Sequence, residues 1–205
     1  MYYCPMSVLD RIPSREWKDL FIAWVAISLA FTLIFIRMQI EVLGFLTFFA
    51  ISAFTVGVGF VLHEMAHKFT AMGFGFWAEF RKDNTMLLMA VVIAALVGVV
   101  FAAPGATVIY GATISREQNG KISLAGPVTN LLLCIPFAVL FIVGGDGLPR
   151  LIGMVGFNVN AMIAFFNMLP VSVLDGKKVL AWNLPVFMGM FITTLGMLIV
   201  SLMVM

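Results

Sequence analysis

The chain has 205 residues, 62% of them hydrophobic and 11% charged, with a formal net charge of +2. A soluble domain of this length carries about a quarter charged residues, so the composition points to a polytopic membrane protein with no room for a separate soluble domain. The small net charge and the lack of a basic cluster interleaved with aromatics argue against a nucleic-acid partner.

Met1 to Lys18 is polar, with Arg11, Arg15 and Lys18, and reads as a cytoplasmic tail; an uncharged apolar run, Leu20 to Ile36, follows and ends at Arg37. That run is longer than a signal-peptide core and no small-residue cleavage site follows it, so a retained transmembrane helix is expected. After a tight turn at Arg37 to Glu41, a second helix is predicted from Val42 to Met72. Gly73 to Asn84 reads as a polar, glycine-containing connection, Met86 to Ala103 as an apolar run, and Pro104-Gly105 as a break. Ala106 to Gly111 is rich in branched residues and reads as a short β-strand. Beyond polar Ser115 to Lys121, further spans are predicted at Ser123–Val143, Leu151–Leu169 and Leu184–Val204. They are separated by a glycine-rich turn at Gly144–Arg150 and a polar break at Pro170–Lys178. Cys4 and Cys134 lie in unlike surroundings and suggest neither a disulfide framework nor a metal site. No internal repeat is present.

The second helix holds the strongest polar chemistry. Val42 to Leu62 carries no charge, and then come His63, Glu64 and His67, with the only two histidines in the chain. Helical residues four apart share a face and lie roughly 6 Å apart along the axis. Two imidazoles so placed can bind one metal ion, and Glu64 can reach a water held by it: the H-E-x-x-H arrangement of zinc metalloproteases. An ionisable residue inside a membrane segment costs about 2.5–3.5 kcal/mol on insertion scales, which favours a compensating cation over polar residues snorkelling to the interface. At about 1.5 Å per residue, His63 lies roughly 31 Å from Val42, near the far boundary of the bilayer.

Met86 to Ala103 either spans the membrane or enters and returns. If it returns, Arg11, Arg15, Lys18, Lys68, Arg81, Lys82, Arg116, Lys121, Lys177 and Lys178 share the cytoplasmic side, and only Arg37 and Arg150 lie outside. A full crossing weakens that bias, so the positive-inside rule favours the re-entrant reading. The strand at Pro104 to Gly111 is then either the return leg, bordering a polar cavity, or an ordinary interfacial loop.

A catalytic zinc site takes three protein ligands plus water, and with no third histidine a carboxylate must complete the set. Glu79, Asp83 and Glu117 sit among other charges, and Asp146 lies in the turn on the opposite side. Asp175 ends a span on the side of His63 and His67, after a helix-stopping Pro170 and before Gly176, which permits a tight turn. Asp175 is therefore preferred as the ligand over a role as helix N-cap.

Together, His63-Glu64-x-x-His67, Ala125-Gly126-Pro127 and Asn167-x-x-Pro170-x-x-x-x-Asp175-Gly176 resemble the site-2 protease family of intramembrane zinc metalloproteases. The match runs from about Gly57 to Lys178, without a PDZ-like domain between the motifs or an appended nucleotide-binding module. The resemblance implies one Zn²⁺ bound by His63, His67 and Asp175, and Glu64 as catalytic acid/base acting on zinc-bound water. It implies Asn167 as a holder of substrate or oxyanion; a buried Asn bridging helices is an equally ordinary role, and the better one for Asn130, Asn158 and Asn160. The expected fold is an all-α polytopic membrane protein: a bundle of about five to six transmembrane helices with a short re-entrant β-strand or hairpin, residues 1–205 forming one protease domain. The expected substrates are single-pass transmembrane proteins, met in the plasma membrane near its cytoplasmic side, and an extended substrate could add to the strand at Val108-Ile109-Tyr110. Two other classes remain open. A prenyl-protein-processing type of membrane metalloprotease would need Glu117 or Glu79 as third ligand, and a metal carrier or inactive scaffold would have no need of Glu64.

Overall fold

A computed structural model describes residues 12–37, 44–98, 105–111 and 113–204. The order is α1 (Ser14–Arg37), α2 (Phe45–Ser52), a π-helical turn (Ala53–Gly57), α3 (Val58–Gly73), β1 (Trp77–Lys82), α4 (Asn84–Val97), β2 (Gly105–Tyr110), α5 (Arg116–Val143), α6 (Leu148–Asn167), α7 (Asp175–Trp182) and α8 (Leu184–Met203). Among the described residues, five helices are long and apolar enough to cross a membrane: Ser14–Ile36, Phe45–Gly73, Arg116–Val143, Leu148–Asn167 and Leu184–Met203. Leu46, Leu96, Ile142, Val143 and Met203 project outward on these elements and on α4. So much exposed apolar surface suits lipid rather than water. The chain is a multi-pass membrane protein, and its described residues are all-α apart from one two-stranded sheet.

The expected spans form, with shifted ends. α1 starts inside the segment read as a tail, at Ser14 rather than after Lys18; it follows Pro13, where a missing N–H costs nothing. The second span is one continuous helix from Phe45 to Gly73, interrupted only by the π turn. One extra residue in that turn rotates α3 relative to α2 by roughly 100°. The Ala53 carbonyl accepts from Trp24 Nε1 at 3.0 Å, which joins α1 to the turn. α5 opens on a capping box between Ser115 and Gln118. The expected turn at Arg37 to Glu41 and the break at Pro104 fall largely outside the described residues.

Two elements depart from expectation. Trp77–Lys82, read as part of a polar connection, is a strand, and it pairs antiparallel with β2 from Trp77↔Tyr110 to Lys82↔Gly105. Asp175–Trp182, read as part of a polar break, is a helix. Between the strands, α4 begins on Asp83, whose carboxylate accepts from the N–H groups of Thr85 and Met86, and ends at Gly98 in the left-handed region (φ 80°). Its 14 residues rise about 21 Å, short of a hydrocarbon core of about 30 Å. Since Lys82 and Gly105 are partners, the intervening chain returns to where it left. The re-entrant reading therefore fits the described part of Met86 to Ala103. Phe80 and Ala78 carry the sheet into the bundle, Phe80 meeting Phe60 of α3 edge-on at 5.6 Å.

Candidate metal centre

Three elements converge at the end of the bundle that holds the sheet. α3 and α5 run antiparallel, with Gly59, His63 and His67 opposite Asn130, Gly126 and Ile122. Each series steps by four residues and so forms one stripe per helix. At the ends of the match, His67 Nδ1 lies 2.8 Å from the Ile122 carbonyl and His63 Nδ1 lies 2.5 Å from Asn130 Oδ1. A carbonyl only accepts, so His67 Nδ1 carries the proton. The Asn130 amide is oriented by its own donor: Nδ2 donates to the Gly59 carbonyl at 3.3 Å and to Asn160 Oδ1 at 2.9 Å. Asn160 is fixed in turn by donating from Nδ2 to the Gly156 carbonyl at 2.8 Å. Asn130 Oδ1 must therefore face His63, and His63 Nδ1 is also the donor. In the neutral form of each ring, Nε2 is then the unprotonated nitrogen, on the side away from these bonds.

That side is where Asp175 arrives. Its Oδ2 lies 3.4 Å from His63 Nε2 and 3.2 Å from His67 Nε2. Tetrahedral zinc with bonds of about 2.0–2.1 Å sets its ligand atoms about 3.3 Å apart, so both separations fit. Asp175 is not the N-cap of α7; that position is Leu174, and Asp175 opens the helix. Gly176 serves differently from expectation. Its backbone is helical, without positive φ, and a Cβ there would overlap the Met168 carbonyl. Glycine lets α7 press against the end of α6, where Val179 and Met168 are buried together.

Three acceptors thus face one another with no donor between them. Such a set needs a cation. Gly126 supplies the space: a Cβ there would stand 2.5 Å from His63 Nε2 and from His67 Nε2. Among the described residues, His63, His67 and Asp175 are the group that could hold a metal ion. The donor set, its spacing and the cradle at Gly126 fit zinc.

Glu64 follows His63 and is buried. Its Oε2 accepts from Thr107 Oγ1 of β2 at 2.9 Å, and the same hydroxyl lies 3.2 Å from the Glu64 carbonyl. β2 therefore borders the centre, as the re-entrant reading requires. Asn167 closes α6 and donates from Nδ2 to the Ile163 carbonyl one turn back at 3.0 Å. The other carboxylates are engaged elsewhere: Glu79 with Arg81 and the Trp77 indole, Glu117 with Lys121. In the sequence, Gly126 stands out only as part of the Ala125-Gly126-Pro127 motif, without a role, and nothing assigns Asn130 or Thr107 a part in the site. The matched four-residue spacing around the histidines and around Gly126 was the available signal for the first two; Thr107 had none.

No family model and no solved structure matches this chain. Over 179 residues, 87% of this chain and 89% of the relative, it is 40% identical to a Methanocaldococcus jannaschii protein named "Putative zinc metalloprotease". At that identity and coverage, on top of an H-E-x-x-H helix completed by an aspartate, the chain belongs to the zinc metalloprotease family that includes this archaeal protein.

Proposed function

We propose that this chain is an intramembrane zinc endopeptidase of the site-2 protease type, which cleaves membrane-spanning segments of single-pass proteins near the cytoplasmic side of the plasma membrane. The observation that carries the reading is the meeting of His63, His67 and Asp175 around the Gly126 cradle, beside a buried Glu64, in a bundle of apolar helices. His63, His67 and Asp175 would hold one Zn²⁺. When bound, zinc supplies Lewis acidity and lowers the pKa of a ligated water to about 7.

The remaining work falls to the chain. Glu64 takes a proton from the attacking water and passes it to the leaving amine. Asn167 spends one N–H on Ile163 and has a second to donate to a substrate carbonyl or oxyanion. A transmembrane helix hides its peptide bonds, so the substrate must unwind to be cut. β2 offers an extended segment a place to go, by backbone pairing along the edge that no described residue pairs with. The cytoplasmic placement rests on the excess of Lys and Arg at this end of the chain's elements.

The test is metal analysis of the purified protein alongside cleavage of a model transmembrane substrate, with and without a chelator. About one zinc per chain and chelator-sensitive cleavage are expected. Glu64→Gln should keep zinc and lose cleavage by roughly 10²–10⁴-fold. A zinc-free wild type, or cleavage that survives Glu64→Gln, is incompatible with this function.

A further inference from the structure

The hydroxyl of Thr107 reaches Glu64 from an unusual place. Thr107 lies on β2 opposite Phe80 of β1. The Phe80 N–H does not enter the ladder; it donates to Glu16 Oε1 at 2.9 Å. Phe80 and Thr107 are therefore a non-hydrogen-bonded pair, and in such a pair both residues turn their backbone groups away from each other. The N–H and C=O of Thr107 accordingly point to the far edge of β2, as do those of Gly105 and Ile109, two residues to either side. Among the described residues, nothing pairs with that edge. The side chain of Thr107, meanwhile, points inward, in step with half-buried Gly105 and Ile109. One residue thus offers its backbone to an incoming strand and its hydroxyl to the carboxylate read as the general base.

We propose that Thr107 is a positioning residue for Glu64, which holds the base from the very strand on which an extended substrate docks. This rests on the proteolytic reading above. The hydroxyl has one proton. It goes to Glu64 Oε2, the nearer partner at 2.9 Å, with the Glu64 carbonyl at 3.2 Å as the weaker second. The bond fixes which carboxylate oxygen is occupied and leaves Oε1, which takes no partner among the described residues, to meet the water. A substrate strand paired to Thr107 would be in fixed register with the base it reports to, because strand neighbours lie about 4.8 Å apart. Displacement of a catalytic group by about 1 Å costs on the order of 100-fold in rate, so the hydroxyl should act on turnover rather than on binding.

The experiment compares wild type, Thr107→Val and Thr107→Ser for kcat, KM and zinc content. Valine keeps the shape and removes the hydroxyl; serine keeps the hydroxyl. Thr107→Val is expected to lower kcat by roughly 10- to 100-fold, with KM and zinc content unchanged, and Thr107→Ser to recover most of kcat. A Thr107→Val enzyme with wild-type kcat, or one whose loss comes with lost zinc, overturns the role of Thr107, as does a serine variant no better than valine. Failure of the proteolytic reading looks different: wild type itself would not cleave, or would cleave in the presence of a chelator.

Discussion

One absent methyl group decides whether a cation fits between His63 and His67. The rings cannot swing aside to admit a Cβ on residue 126, since their Nδ1 atoms are bonded to Ile122 and Asn130 of the same helix. Gly126→Ala should therefore overpack the site at a cost of about 1–3 kcal/mol, and that cost falls on metal binding. Zinc affinity is expected to fall about tenfold or more, read by competition with a chromogenic chelator, while the helical content of the variant stays at the wild-type level. Wild-type affinity in Gly126→Ala would show that the cradle is not where the ion sits. The three residues that meet here were legible in the sequence as candidate ligands because histidine and aspartate are rare and costly in apolar surroundings. Asn130 was not, because an asparagine that bridges helices looks alike in sequence whether its far end meets a backbone carbonyl or a ligand. Gly176 was picked out for the wrong reason: sequence shows that a residue is small, not whether a turn or a neighbouring carbonyl requires it.

Elements were readable where one period dominates over a long run, and lost where a short segment mixes characters. All five apolar spans follow from hydropathy alone. Trp77–Lys82 escaped because Glu79, Arg81 and Lys82 mask a strand in which only Ala78 and Phe80 are buried, and because its partner comes after a helix rather than a tight turn. Asp175–Trp182 escaped because Asp-Gly-Lys-Lys has the composition of a turn. The pairing register makes the neighbouring strand positions Val108 and Ile109 physically different. Val108 opposes Glu79 as a hydrogen-bonded pair, so its N–H serves the sheet; Ile109 opposes Ala78 and its N–H faces the edge away from β1. Ile109→Pro should leave the ladder's hydrogen bonds intact yet lower cleavage about tenfold, by removing a hydrogen bond and obstructing strand addition. Val108→Pro should instead destabilise the sheet by about 1–3 kcal/mol. Thermal unfolding and cleavage rates on the two variants separate them, and equal behaviour of the pair would remove strand addition from the mechanism.

The whole molecule is tied together at one buried node that the sequence did not reveal. Glu16 of α1 and Lys68 of α3 are both fully buried and form an ion pair, and the second carboxylate oxygen of Glu16 accepts the Phe80 N–H of β1. Lys68 also lies over the Trp77 ring, 5.5 Å from its centroid. From sequence, Glu16 belongs to a charged tail and Lys68 to a cluster at the membrane boundary, where the ordinary expectation is solvation. Only the early start of α1 at Ser14 carries Glu16 into the interior. The node joins the first helix, the helix of the metal centre and the sheet that touches Glu64, so it fixes the site from behind. Lys68→Met should leave a buried carboxylate without its counter-charge and cost about 3–5 kcal/mol. Glu16→Leu combined with Lys68→Met removes both charges, and the desolvation penalty with them. That double variant should recover most of the loss but not all of it, since the Phe80 N–H remains unpaired at a cost of about 1–3 kcal/mol. Denaturant unfolding in detergent measures both variants, and amide exchange at Phe80 should speed up in the double variant even as overall stability returns. A double variant as unstable as Lys68→Met would mean that the node holds the elements by shape rather than by charge.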